Sequence, residues 1–135
     1  MQSDEVRAFK NELSNYDFYR KRVEALNELI ELCYHSLSGL HSPDFQNVPV
    51  HSPADLEKRD RLYAEIDKHK ANLEKATRKI DEIEDVLHKM PRKIRIATYR
   101  VYVLRETVEK VARENHYSKK GMWYWINKEI QNALK

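Results

Sequence analysis

The sequence predicts an all-α protein, and three observations carry that prediction. Only two glycines and four prolines occur in 135 residues, so few positions force a turn. Charged residues make up 35% and hydrophobic ones 41%, a balance suited to helices with one apolar stripe and a solvated remainder. The apolar positions recur at intervals of three and four, the repeat of a helix and not of a strand. The architecture expected is a long antiparallel helical hairpin over residues 1–91, followed by a three-helix helix-turn-helix domain over 92–135.

The first segment places Phe9, Tyr16, Val23, Ile30 and Leu37 on one stripe, with Tyr19, Leu26, Cys33 and Leu40 between them. Ser3 or Asp4 is a candidate N-cap. Ser14 to Asp17 is poor in helix formers and predicts a kink or break. Gly39 suits the helix end. A proline-rich loop over 41–53 follows, whose three prolines forbid a regular helix. Pro53 or its neighbours should open the next helix, with Ser52 as cap.

The next helix, Ala54 to Met90, repeats Leu62, Ile66, His69, Leu73, Ala76, Ile80, Ile83, Leu87 and Met90. One stripe needs a partner, and the first segment folded back across the proline loop supplies it. His69 is expected to set the register of that pairing. Pro91 ends the helix. The hairpin is expected either to dimerise or to hold the C-terminal domain at a set distance, and a homo-oligomer, with a dimer favoured, is the expected state.

The last 44 residues carry a different charge. Residues 1–91 hold 14 Lys and Arg against 18 Asp and Glu, whereas 92–135 hold 11 against 4. A short segment with that excess attracts a polyanion. Its apolar pattern divides into three helices. Ile94, Ala97, Val101 and Leu104 mark the first, and Val108, Val111 and Ala112 after Thr107 mark the second. Lys119 to about Leu134 marks the third. Asn115-His116-Tyr117 reads as a turn and Ser118 as the N-cap beyond it.

Two short helices joined by such a turn make a helix-turn-helix candidate. Ala112 is the small residue the crossing requires. Val111, Tyr117, Met122, Trp125, Ile126, Ile130 and Leu134 supply the inner face. Asn115 stands where an apolar residue is usual and His116 where glycine often makes the turn, although both tolerate left-handed backbone better than most residues. The outer face of the last helix is expected to carry Lys119, Lys120, Trp123, Tyr124, Asn127 and Lys128, with Ser118 at its N-terminus. Double-stranded DNA is the expected partner: lysines on phosphates, aromatic rings on thymine methyls or sugar edges, Asn127 on adenine. Packing against the hairpin or a second subunit is the competing role for Trp123 and Tyr124.

This order of elements resembles a known group. It runs from "ELSNYDFYRKRVEALNELI" through a proline-containing linker and a charged long helix to "TVEKVARENHYSKKGMWYWINKEI". It is similar to the small phage-encoded late-transcription regulators of Gram-positive bacteria, the RinA and ArpU-like family. The C-terminal part of that family is similar to region 4 of bacterial sigma factors. The matching positions are Val111-Ala112, Tyr117-Ser118, Met122, Trp125 and Leu134, with Lys119, Lys120, Tyr124 and Lys128 on the surface that would face DNA. The resemblance implies activation of phage structural and packaging genes at a promoter, with contact to host RNA polymerase. Two alternatives stand beside it: a phage small terminase subunit, which joins similar elements in a ring, and a helical adaptor that binds only protein.

Catalysis finds no support in the sequence. Gly39 and Gly121 cannot build a phosphate-binding loop. Asp81, Glu82, Glu84 and Asp85 lie on a solvated helix without an apolar pocket to raise a pKa. Cys33, His35, His41 and His51 follow no common zinc spacing, and no metal or cofactor is expected. One cysteine, no apolar run long enough for a membrane and no signal-peptide core predict a soluble intracellular protein, which the resemblance would place in the bacterial host cytoplasm.

Overall fold

The computed structural model describes residues 3–40 and 53–135. Leu40 is placed in a helix, but its side chain, the loop 41–52 and the candidate cap Ser52 lie outside what is described, as do His41 and His51. The protein is all-α: six helices and no strand occur among the described residues. They are α1 (Asp4–Ser14), α2 (Tyr16–Leu40), α3 (Pro53–His88), α4 (Arg92–Tyr102), α5 (Val108–Glu114) and α6 (Lys119–Ala133).

Local chemistry sets the ends. Ser3 Oγ accepts from the Val6 amide at 3.2 Å and starts α1. The expected break falls at Asn15. There Ser14 Oγ donates to the Lys10 carbonyl at 3.0 Å, and Asn15 Nδ2 donates to the Asn11 carbonyl at 3.1 Å. Side chains that compete for helix carbonyls in this way loosen the ladder, and Asn15 leaves the helical region at φ −96°, ψ 4°. Pro53 opens α3 as expected. Pro91 opens α4, where its missing N–H costs nothing.

The helices divide into two compact units, one of residues 20–77 and one of residues 1–19 with 78–135. In the first, Leu37 and Ile66 are buried together with Cys33 and Leu62 against them. Lys70 Nζ donates to Tyr34 Oη at 2.9 Å. The pairs run in opposite chain directions, 34 with 70 and 37 with 66, so α2 and α3 form an antiparallel hairpin within one chain. Leu26, Ile30 and Ala76 are buried along the same stripes. His69 is half-buried and sits 3.4 Å from Glu65 on its own helix.

The second unit corrects the boundary expected at residue 91. Val6, Phe9, Leu13 and Tyr16 join one core with Ile83, Leu87 and Met90, and with the apolar faces of α4, α5 and α6. The chain ends before 20 and after 77 therefore pack as one body. The reason is physical: α1 is cut from α2 at Asn15, and α1 turns its short apolar face, Val6-Phe9-Leu13, onto the C-terminal helices. Leu13, Val111, Met122, Ile126 and Ile130 have no solvent exposure, so truncating any of them costs about 2–5 kcal/mol for the large side chains. Among the described residues no helix is long and apolar enough to cross a membrane.

Candidate nucleic-acid interface

The last two helices and their turn are positioned by four local devices. Thr107 Oγ1 accepts from the Lys110 amide at 3.3 Å and caps α5. At the other end of α5 the Tyr117 amide reaches back to the Ala112 carbonyl at 2.8 Å and the His116 amide to the Arg113 carbonyl at 3.2 Å. Those two bonds are the Schellman pattern, and His116 holds its left-handed position at φ 63°. Asn115, at φ −97°, stays out of that region and sends Nδ2 to the Val111 carbonyl at 2.8 Å. Ser118 Oγ then accepts from the Gly121 amide at 2.9 Å and opens α6. A Cβ on Gly121 would stand 3.0 Å from that same oxygen, so glycine keeps the cap uncrowded.

A further contact group fixes the connector between α4 and α5. α4 ends at Tyr102, so Leu104, expected within that helix, lies beyond it and is exposed. Arg100 grips Glu106 through Nε at 2.6 Å and Nη2 at 3.0 Å, and reaches Glu114 at 2.5 Å. Lys110 adds 3.2 Å to Glu106. The Arg100 hydrogen bond, followed by Lys110, holds the Glu106 carboxyl down at about 2. Arg105, left-handed at φ 60°, sends Nη2 to the Ser14 carbonyl at 3.1 Å and ties the connector to the end of α1.

Helix α6 has three faces. Met122, Ile126, Ile130 and Ala133 point into the core. Lys120, Tyr124 and Lys128, spaced four apart, form an outward stripe whose members are all exposed. Tyr124 keeps 56% of its surface accessible. Lys128 Nζ lies 5.1 Å from the Trp125 ring centre and 5.7 Å from that of Tyr124. The two rings meet edge to face at 5.5 Å. Trp125, expected fully on the inner face, is only partly buried and flanks the stripe.

The remaining face corrects the expectation for Trp123 and Asn127. Both turn away from the lysine stripe and toward α1. Lys10 Nζ donates to Asn127 Oδ1 and lies 5.1 Å from the Trp123 ring centre and 5.7 Å from that of Tyr102. Tyr102 and Trp123 meet edge to face at 6.4 Å. Desolvation lowers the Lys10 ammonium to about 8 and raises the Tyr102 hydroxyl. The reason is the α1 docking described above: Trp123 and Asn127 lie about a quarter-turn from the buried stripe, and a neighbouring helix covers that flank. Lys119 is also less available than expected. Its Nζ pairs with Glu109 Oε1 at 2.8 Å and pulls the Glu109 carboxyl below its ordinary range.

Of the seven residues expected to face DNA, then, Lys120, Tyr124 and Lys128 stand together outward. Ser118 and the paired Lys119 sit at the N-terminal edge, and Trp123 and Asn127 belong to a packed interior flank. Lys10 escaped attention in the sequence, although it lies four residues after Val6 and three before Leu13, on their face. Among the described residues no group of three or more His, Cys, Asp or Glu is placed to hold a metal ion. Comparisons with family models, with curated proteins and with solved structures gave no match.

Proposed function

We propose that this chain is a DNA-binding transcription regulator that lays α6 in the major groove. The observation that carries the reading is the α5–turn–α6 unit itself. The capped α5 ends in a Schellman turn with Ala112 buried, and the helix that follows presents a cationic, aromatic stripe to solvent. Helices docked in this way read base edges from their N-terminal half and phosphates from flanking cations. Lys120 and Lys128 are the phosphate ligands in this reading, and Tyr124 is the residue that meets base or sugar edges. The basic balance of residues 92–135 adds a field that draws duplex DNA toward this surface.

The narrower identity, a phage activator of late structural and packaging genes related to the RinA and ArpU-like family, rests on the order of the elements. A dimer on two half-sites and a contact to host RNA polymerase belong to that same reading. Nuclease footprinting on promoter DNA tests it. A protected site of one or two helical turns is the expected result. A ring-sized assembly that protects a long tract would instead favour the terminase alternative, and no protection at low salt would favour the adaptor.

A further inference from the structure

The second unit contains a cleft remote in sequence from the α6 stripe. Its walls are the apolar surfaces of Tyr16, Leu87, Ile96 and Tyr99, its polar groups are Glu84, His88 and Arg95, and its volume is about 360 Å³. Ile96 leaves 47% of its surface accessible there. A ligand that covers it would remove apolar surface from water. The volume lies in the range of small-molecule sites, which are concave and mostly apolar with a few placed polar groups.

The polar groups decide the chemistry. Glu84 keeps its charge, and its Oε1 accepts from the Tyr16 hydroxyl at 2.7 Å. His88 Nδ1 donates to the Glu84 carbonyl at 2.7 Å. Arg95 is different: it is half-buried in the cleft wall and forms no ion pair among the described residues. Charged groups withdrawn from water are normally matched by an opposite charge. A guanidinium is matched best by a carboxylate, which it grips with two parallel hydrogen bonds. The cleft thus offers an apolar seat beside a guanidinium that has no ion-pair partner among the described residues.

We propose that this cleft binds a small apolar carboxylate, with its hydrocarbon or aromatic body against Leu87, Ile96, Tyr16 and Tyr99 and its carboxylate on Arg95. The proposal is independent of DNA binding, since neither the cleft nor its ligand involves α6. The test is a titration of the isotope-labelled full chain with phenylbutyrate, followed by amide NMR. Phenylbutyramide and phenylbutylamine serve as neutral and cationic controls of the same body.

From the usual yield per ligand atom, Kd should be on the order of 1 mM, with shifts centred on Leu87, Ile96 and Tyr99. The carboxylate should bind about 10-fold more tightly than the amide. Arg95→Gln should erase that preference, whereas Arg95→Lys should keep part of it. Ile96→Glu, a change at an exposed position, should abolish binding of the carboxylate without unfolding the chain. Equal binding of carboxylate and amide, tighter binding of the amine, or shifts scattered away from the cleft would each overturn the proposal.

Discussion

Replacing Asn127 with alanine separates two roles that the sequence alone cannot tell apart. In the structure its side-chain oxygen accepts from the Lys10 ammonium on α1, beside the rings of Trp123 and Tyr102. Removing the oxygen leaves the ammonium of Lys10, a residue 8% exposed, without that acceptor. Hydrogen bonds to charged groups contribute about 1.5–3 kcal/mol. The two ring contacts survive the change and retain roughly 0.5–2 kcal/mol of attraction each. Because those contacts are the same before and after, the expected loss is that of the hydrogen bond, about 1.5–3 kcal/mol. For a chain of this size that corresponds to a fall in Tm of roughly 5–12 °C. Urea unfolding of wild type, Asn127→Ala, Lys10→Met and the double variant gives the coupling directly, and about 1 kcal/mol is expected between the two positions. The DNA sequence preference of Asn127→Ala should match that of wild type. Unchanged stability together with relaxed base preference would refute the reasoning and return Asn127 to the DNA face.

Three further predictions follow from the same contacts. The folded state holds the Lys10 ammonium near 8 against an ordinary 10.5, so the unfolded chain binds the extra proton more tightly. Stability should therefore rise as pH climbs from about 8 toward 10, and Lys10→Met should lose that rise in urea titrations at several pH values. Glu106 behaves in the opposite way: its carboxyl is held at about 2, so its contribution is complete above about 4.5 and fades as pH falls toward 2. Glu106→Gln should flatten that part of the acid limb of thermal unfolding. His116 occupies a left-handed position that glycine enters without a Cβ penalty, and His116→Gly should raise stability by up to about 1 kcal/mol in urea melts, with DNA affinity unchanged.

What was legible in the sequence was local. The cap Ser118, the break at Asn15, the small residue Ala112 and the starts of α3 and α6 all follow from signals within a few residues. The left-handed turn residue could be narrowed to Asn115 or His116, and only the backbone bonds to Ala112 and Arg113 choose His116. Long-range partners were not legible. Helical periodicity says that Val6, Phe9 and Leu13 need a partner face, but not that the partner is the C-terminal helices together with the end of α3. For the same reason Asn127 and Trp123 looked outward: on α6 alone they lie off the core stripe, and only the docking of α1 encloses them. The pairing of Lys119 with Glu109 joins two helices across the turn, and counting charges along the chain does not reveal it.

The central claim is that duplex DNA meets the outward stripe of α6. Fluorescence anisotropy of a labelled promoter duplex, titrated over a series of salt concentrations, tests it most directly. Wild type should bind with a strong salt dependence. The Lys120→Ala/Lys128→Ala double variant should bind all sequences more weakly, with a salt slope smaller by about 2 because two phosphate contacts are gone. A double variant that keeps both the affinity and the salt slope of wild type would contradict the account.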